Sequence, residues 1–271
     1  MTTRIGITGA GGRMGRMLLD TIAQTDLDCC LVAALEHPDS AALGGDTGEM
    51  LGAPASGVLI TASLAEALDT LDVLIDFTVP EATLQHAAMC SAHGVPMVIG
   101  TTGFTDAQSD SLAGYAADIA ICQASNFSPG VNLTFSLVEA AAKALGNEVD
   151  IEIIESHHRH KIDAPSGTAL TLGEKIAAVL GRDFQKVARF SREGHTGERA
   201  RDTIGFSSIR AGDIVGDHTV MFSSEGETLE ITHRASARTA FARGAVRAAC
   251  WVAQQAPGRY DMQDVLGAEH R

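Results

Sequence analysis

Up to Asn126, short apolar runs alternate with segments of helical period, and no other feature constrains the fold as tightly. Strands separated by helices lie parallel in one sheet, with helices covering both faces. Arg4-Ile-Gly-Ile-Thr8 is a short strand, and Met14, Leu18 and Ile22 share one face of the helix that follows. Cys30–Glu36 and Val73–Thr78 are nearly continuous apolar runs, as strands covered on both sides require. Pro96–Thr102 and Asp118–Cys122 complete the set. Ser63-Leu-Ala-Glu66 reads as a capping box opening a short helix, and Pro80 as the first-turn residue of another. The glycine-rich stretch Leu43–Gly48 reads as a mobile surface loop.

Beyond Asn126 the pattern changes. A helix is expected over Val131–Leu145, a strand beginning within Asn147–Ile154, and a second helix over Ser166–Leu180. Three β-type stretches then follow with little helix between them: Lys186–Phe190, Thr203–Arg210 and His218–His233. Strands grouped in this way belong to a separate α+β domain with an open mixed sheet. A last helix, Thr239–Gln255, carries Phe241, Ala245, Ala249 and Val252 on one face and is expected to return to the first domain. The fold class is therefore α/β, a Rossmann-type doubly wound parallel sheet plus a second α+β domain with an open mixed sheet. Residues 1–127 with 237–271 form the dinucleotide-binding domain, and 128–236 the substrate-binding and oligomerisation domain.

Charge narrows the function. Lys plus Arg number 20 against 34 Asp plus Glu, a net −14, the wrong sign for a nucleic-acid binder. No apolar run approaches the length of a membrane span and the N-terminus has no signal-peptide shape, so a soluble, cytoplasmic protein is expected. The five cysteines (Cys29, Cys30, Cys90, Cys122 and Cys250) contain no CxxC pair and read as reduced core thiols.

Gly9-Ala-Gly-Gly-Arg-Met-Gly15 lies between the first strand and the first helix. Glycines at 9, 12 and 15 allow a tight turn, close backbone approach to a pyrophosphate and close helix–strand packing, with the helix N-terminus facing the phosphates. Glu36 ends the second strand about 20 residues further on, where a carboxylate reaches the ribose hydroxyls of a dinucleotide. A plain strand-to-helix turn and a solvated glutamate are the bland alternatives. Glu36 disfavours a 2′-phosphate; Arg13 is the nearby cation, and His37 is a weaker phosphate partner than a guanidinium. NADH is therefore expected to serve at least comparably to NADPH. Two further strand-end turns, Gly100-Thr-Thr-Gly103 and Ala124-Ser-Asn-Phe127, fit the same crevice.

The densest signal is Glu155-Ser-His-His-Arg-His-Lys-Ile-Asp-Ala-Pro-Ser-Gly-Thr168. Five consecutive residues, His157 to Lys161, are able to carry positive charge. A solvated basic loop is one reading. The following Pro165-Ser-Gly-Thr168 opens a helix whose first-turn amides suit a carboxylate, and this favours a site for a small acidic substrate with His and Lys available for proton transfer. No metal site is expected, because His157 and His158, adjacent on an extended strand, point to opposite faces.

Together these motifs resemble the dihydrodipicolinate reductase family of the lysine and diaminopimelate pathway, over the whole length of the chain. The resemblance extends to Asp76-Phe-Thr78, Asn126-Phe-Ser128, Ser191–Arg199 and Arg210–His218. It implies NAD(P)H-dependent reduction of 4-hydroxy-tetrahydrodipicolinate or dihydrodipicolinate to tetrahydrodipicolinate by a homotetramer. By similarity, His157 is the proton donor/acceptor and Lys161 the proton donor, while His158, Gly167 and Thr168 bind the substrate. The cofactor, NADH or NADPH, is lined by Gly9, Ala10, Gly11, Gly12, Arg13, Met14, Glu36, His37, Gly100, Thr101, Thr102, Ala124, Ser125, Asn126 and Phe127. His37 departs from the arginine of many members, and Ser125 is a milder change. Another two-domain NAD(P)-dependent dehydrogenase and a non-catalytic NAD(P)H-sensing regulator are the alternatives.

Overall fold

The computed structural model describes residues 1–267. The last four residues of the 237–271 expectation lie outside the described residues. The chain divides into two compact units, Met1–Pro129 with Thr239–Arg271 and Gly130–Arg238.

The first unit contains β1 (Thr3–Thr8), α1 (Arg13–Gln24), β2 (Cys29–Leu35), α2 (Thr47–Met50), β3 (Ile60–Thr61), β4 (Val73–Asp76), α3 (Pro80–His93), β5 (Met97–Ile99), α4 (Asp106–Tyr115) and β6 (Ala120–Gln123). Its sheet runs in the order β12-β6-β5-β4-β1-β2-β3, where β12 (Gly258–Tyr260) comes from the C-terminal segment. Every pairing is parallel. The strand order reverses between β1 and β4, so the carboxyl ends of those two strands flank the crevice where such sheets receive ligands. One face packs Ile5, Ile7, Val73, Ile75 and Val98 in the cluster that also holds α1 and the late helix; the other packs Leu74, Met97, Ile99 and Ile121 against Cys90 and Leu112. Burial on both sides explains why these strands read as unbroken apolar runs.

The late helix, α8 (Thr239–Val252), joins this core through Ala242, Ala245, Val246, Ala249 and Val252, and α9 (Met262–Leu266) adds Met262 and Val265. Its buried face is made of small residues, and Gly244 sits so close to the Phe127 carbonyl that a Cβ there would overlap it.

Three local expectations need correction. Ser63–Glu66 opens no α-helix; the chain turns and makes only a 3₁₀ turn at Leu68–Thr70. The capping box that does form is Thr105 with Gln108, at the start of α4. Leu43–Gly48 is a surface segment only at Gly44 and Gly45, which are exposed; Asp46, Thr47 and Gly48 are buried, and the Asp46 carboxylate accepts from the amides of Gly48, Glu49, Ser56 and Gly57, which holds it down at about pKa 2. Of the cysteines, Cys90 and Cys122 are buried, whereas Cys29, Cys30 and Cys250 are half-buried; all five are free thiols.

The second unit begins with α5 (Pro129–Leu145), which starts at the boundary. It continues with β7 (Asp150–His157), α6 (Gly167–Val179), α7 (Phe184–Val187), β8 (Ala188–Arg189), β9 (Ile204–Arg210), β10 (Gly216–Ser224) and β11 (Glu227–Ala235). The stretch His218–His233 is thus a hairpin rather than one strand, turned at Glu225-Gly226, where Gly226 takes φ +90°. The sheet order is β11-β10-β7-β9-β8; β10 is antiparallel to both neighbours, and β7, β9 and β8 are mutually parallel. Ile151, Ile153, Ile204, Phe206, Val220 and Phe222 pack under Phe135 and Val138 of α5 and Leu172 and Ile176 of α6. The opposite face carries Glu152, Ile154, Thr219 and Met221 in adjoining rows. There Arg192 and Arg199 converge on Glu152 at 2.7 and 3.0 Å.

Adding a methyl group at a helical glycine normally stabilises by roughly 0.5–1 kcal/mol, but overpacking typically costs about 1–3 kcal/mol. For Gly244→Ala the overlap is with backbone, so the second term wins: the urea midpoint should fall by the equivalent of at least about 1 kcal/mol, with unchanged m-value.

Candidate active site

In the first unit the crevice is built from glycine geometry and two carboxylates. Gly9 takes φ +67°, open to glycine at no steric cost, and its carbonyl accepts from Gly12 N at 3.0 Å. Gly15 presses so closely on Gly9 and Ala10 that any side chain there would strike backbone. Helix α1 opens on Gly12, which has no side chain to cap the first-turn amides, and no acidic residue lies in that turn. The Glu36 carboxylate accepts from Gly11 N at 2.6 Å and His37 N at 3.1 Å, which leaves acceptor capacity for hydroxyl groups. An uncapped, positively polarised helix end beside such a carboxylate fits a dinucleotide's pyrophosphate and adenosine ribose.

Asp76, at the end of β4, is wholly buried and collects four donors: Thr78 N (3.0 Å), Thr78 Oγ1 (2.6 Å), Thr83 Oγ1 (3.1 Å) and Thr101 Oγ1 (3.3 Å). Its other oxygen meets His86 Nδ1 at 2.6 Å. Burial alone would raise this carboxyl, but His86 and the threonines more than offset it and hold the pKa low. The Gly100–Thr102 turn is thereby anchored, with Gly100 flat against the Phe77 ring.

Thr101, Thr102, Ala124 and Ser125 line a cleft of about 620 Å³, together with Arg259 and Tyr260 of β12. Several members of the expected cofactor set turn their side chains away from it. The Thr101 hydroxyl is turned to Asp76, the Ala10 side chain is buried, and Phe127 packs on Phe77 at 5.5 Å. At those positions only backbone groups are offered. Asn126 turns back to accept from Ser128 N at 2.9 Å. Arg13 is exposed, and His37 Nδ1 accepts from Asp39 N at 3.2 Å, with the Asp39 carboxylate 3.6 Å away.

In the second unit the strand period puts Glu155 and His157 on the helix-covered face of β7. Sheet register then sets Arg210 beside His157, and His218 beside Glu155. Glu155 is 1% exposed. Arg210 forks onto both its oxygens at 2.7 and 2.9 Å, Ser166 N donates to Oε1 at 3.3 Å, and His157 Nδ1 lies 2.5 Å from Oε2. Burial works to raise this carboxyl, but the hydrogen bonds from Arg210, Ser208 and His157 win and bring it to about 2. The His157 ring packs edge-on against His218, centroids 5.2 Å apart, and His218 Nε2 lies 3.0 Å from Ser166 Oγ. Burial pushes His157 down and brings His218 to about 4.

Ser166 caps α6 by accepting from Ala169 N at 3.3 Å, so Gly167 and Thr168 open the helix at its positive end. Lys161 Nζ sits 2.9 Å from Asp163, and the Asp163 carbonyl accepts from Arg210. His158 Nε2 accepts from Arg238 at 3.3 Å. Arg159 and His160 are exposed. Of the five-residue run, His157 and Lys161 thus lie about the Glu155–Arg210 pair, His158 meets Arg238, and two members are left in solvent. Glu155, Asp163, Arg210, His218 and Arg238 were not singled out from sequence. Glu155 alone had a local signal, two residues before His157 on one strand. No group of three or more potential metal ligands occurs among the described residues.

A Rossmann-type unit of this kind, followed by an α+β unit with a histidine–lysine cluster at a helix N-terminus, defines a two-domain nicotinamide-nucleotide oxidoreductase. Residues 3–127 match the family model for dihydrodipicolinate reductase, N-terminus, and 130–266 that for its C-terminus. A 4-hydroxy-tetrahydrodipicolinate reductase from Saccharophagus degradans is 54% identical over 98% of this chain and 99% of its own. Another, from Pseudomonas fluorescens, is 56% identical over 97% of this chain and 98% of its own. A solved structure described as a dipicolinate-bound dihydrodipicolinate reductase from Paenisporosarcina sp. TG-14 is similar at TM-score 0.78 and 29% identity, covering 97% of this chain and 99% of that one. An amine dehydrogenase from Mycobacterium smegmatis, TM-score 0.60 at 13% identity over 96% of this chain and 94% of that one, shares the fold alone. The chain belongs to the dihydrodipicolinate reductase family. It is an NAD(P)H-dependent oxidoreductase, a reading better supported than either alternative.

His218 and Glu155, both depressed, act on stability in the same direction. His218, ordinarily 6.5 and about 4 when folded, takes up a proton on unfolding between those values, so stability falls as pH drops through that window. Glu155, ordinarily 4.5 and about 2 when folded, adds a further loss below pH 4.5. His218→Gln should flatten the dependence of unfolding free energy on pH between about 6.5 and 5, by up to one proton or roughly 1.4 kcal/mol per pH unit. Urea titrations across that range check it.

Proposed function

We propose that the chain reduces 4-hydroxy-tetrahydrodipicolinate, or its dehydrated form dihydrodipicolinate, to tetrahydrodipicolinate in lysine and diaminopimelate biosynthesis. The carrying observation is that His157 and Lys161 stand about the Glu155–Arg210 pair that meets Ser166 N at the start of α6, in a chain 54–57% identical to relatives that bear the reductase name. The first unit is the dinucleotide-binding domain; the second is the substrate-binding and oligomerisation domain.

Gly9, Gly11, Gly12, Arg13 and Met14, with Ala10 through its backbone, cradle the pyrophosphate, and Glu36 and His37 take the adenosine end. Gly100–Thr102 and Ala124–Phe127 hold the nicotinamide ribose and carboxamide. When bound, the reduced nicotinamide supplies a hydride equivalent to the ring. The chain's own residues do the rest. His158, Gly167 and Thr168 grip the substrate carboxylates and orient the ring, an entropic contribution. Lys161 donates a proton to the electron-rich centre left by reduction. His157, kept mostly neutral near pH 7 by burial, exchanges a proton at Nε2, since Nδ1 is engaged by Glu155. A positioned acid or base of this kind contributes typically 10²–10⁴-fold.

The environment of His37 supports use of NADH: Asp39 and Glu36 both place negative charge beside His37, where it would disfavour a 2′-phosphate, and His37 Nδ1 is already engaged. The sheet face of Ile154, Thr219 and Met221, opposite the helices, supports association of second-domain sheets into a homotetramer. No described helix is long and apolar enough to cross a membrane, and we place the enzyme in the cytoplasm.

Loss of absorbance at 340 nm when NADH meets freshly generated substrate is the direct test; absence of turnover overturns the reading. His157→Ala and Lys161→Ala should lower kcat about 10²-fold or more while NADH affinity stays within a few-fold. The kcat/KM ratio for NADH over NADPH should be near or above unity, and a preference for NADPH beyond a hundredfold refutes the role given to His37. Light scattering should return four times the chain mass.

A further inference from the structure

Glu155 is a buried charged group of the second unit that the mechanism above does not use directly. Sheet stability does not require a carboxylate at that position, because neighbouring rows of the same face are apolar: Ile153 beside Val220, and Ile151 beside Phe222. A buried carboxylate in such a setting is costly unless every lone pair is met. Here the donors are the Arg210 fork, the Ser166 amide at the start of α6, the Ser208 side chain and His157.

The assignment of protons follows from the donor set. Arg210 and Ser166 N only donate, so the ionised carboxylate accepts from both, and Oε2 remains an acceptor toward His157. Neutral His157 therefore carries its hydrogen on Nδ1, and the lone pair falls on Nε2. That atom lies over Gly216, where even a Cβ would come within 3.0 Å of it. The groups that face His157 are Glu155 on its own strand, Lys161 in the following loop, Arg210 on β9 and His218 on β10.

We propose that Glu155 is a positioning residue: clamped by Arg210, it holds His157 in the Nδ1–H tautomer and so makes Nε2 the atom that exchanges a proton with the substrate. This rests on the acid–base role given to His157 above. It extends that role to a three-residue unit, Arg210–Glu155–His157, drawn from two strands.

Glu155→Gln separates positioning from packing. The glutamine keeps the shape, but at the Oε1 position its NH₂ group would meet two donors, Arg210 and Ser166 N, whereas at Oε2 it meets one Arg210 nitrogen and His157. It takes the Oε2 position and donates to Nδ1, which moves the imidazole hydrogen to Nε2. The kcat should fall about 10²-fold or more, while KM for the substrate and Kd for NADH stay within about threefold. The acidic limb of the kcat pH profile should move to lower pH, because the carboxylate that favours protonated His157 is gone. In ¹⁵N spectra of the unsubstituted enzyme above pH 7, His157 should show a protonated Nδ1 and an unprotonated Nε2, with the pattern reversed in the variant. The spectrum of the unsubstituted enzyme stands even if the variant misfolds: an Nε2–H tautomer there overturns the proposal. So does a folded Glu155→Gln enzyme with unchanged kcat and pH profile when His157→Ala is inactive. If His157→Ala itself turns over normally, the acid–base reading of His157 fails instead.

Discussion

A carboxylate withdrawn from water at the end of a central strand must collect donors, and in both units the donors it collects belong to the site. Asp76 at the end of β4 gathers Thr78, Thr83, Thr101 and His86 and thereby sets the turn after β5. Glu155, near the end of β7, gathers Arg210, the first amide of α6 and His157. Left unpaired, either charge would cost several kcal/mol. The stabilisation is therefore conditional on the geometry, and that condition makes these loops and side chains rigid.

The acidic balance of the chain acquires a local meaning from this arrangement. Lys161 and Arg210 are not loose cations in a negative protein; each is held by an acidic partner, Asp163 and Glu155. Such pairing orients donors at little cost in side-chain entropy at the moment of binding. What remains for an anionic ligand is the polarised start of α6 together with cations aimed by their partners. A diffuse positive field would be screened within roughly 10 Å at ordinary salt, whereas aimed donors are not.

Legibility in the sequence tracked the range of the interaction. The turn from Gly9 to Gly15 and the apolar runs at Val73–Asp76 and Met97–Ile99 depend on local sterics and two-sided burial, and both leave a pattern in adjacent residues. Thr105 and Gln108 show that a capping box reports a helix when a helix can pack behind it; Ser63 and Glu66 have the same spacing and make only turns. The hairpin at Glu225-Gly226 was hidden because β10 and β11 are both β-type and the turn between them is two residues long. In Leu43–Gly48 the glycines marked the exposed part, Gly44 and Gly45, but gave no sign that Asp46 draws four amides onto one buried carboxylate.

By itself the sequence determined the parallel doubly wound sheet, the glycine turn with Glu36, the second mixed-sheet unit and the His157–Thr168 segment, since each rests on spacing within one element or across one turn. Only the tertiary structure decided that Arg210 and His218 stand beside Glu155 and His157, that Arg238 meets His158, and that Thr101 and Phe127 turn inward. Strand register and burial bring together residues far apart in the chain, and no local spacing encodes which of two faces such a residue will meet.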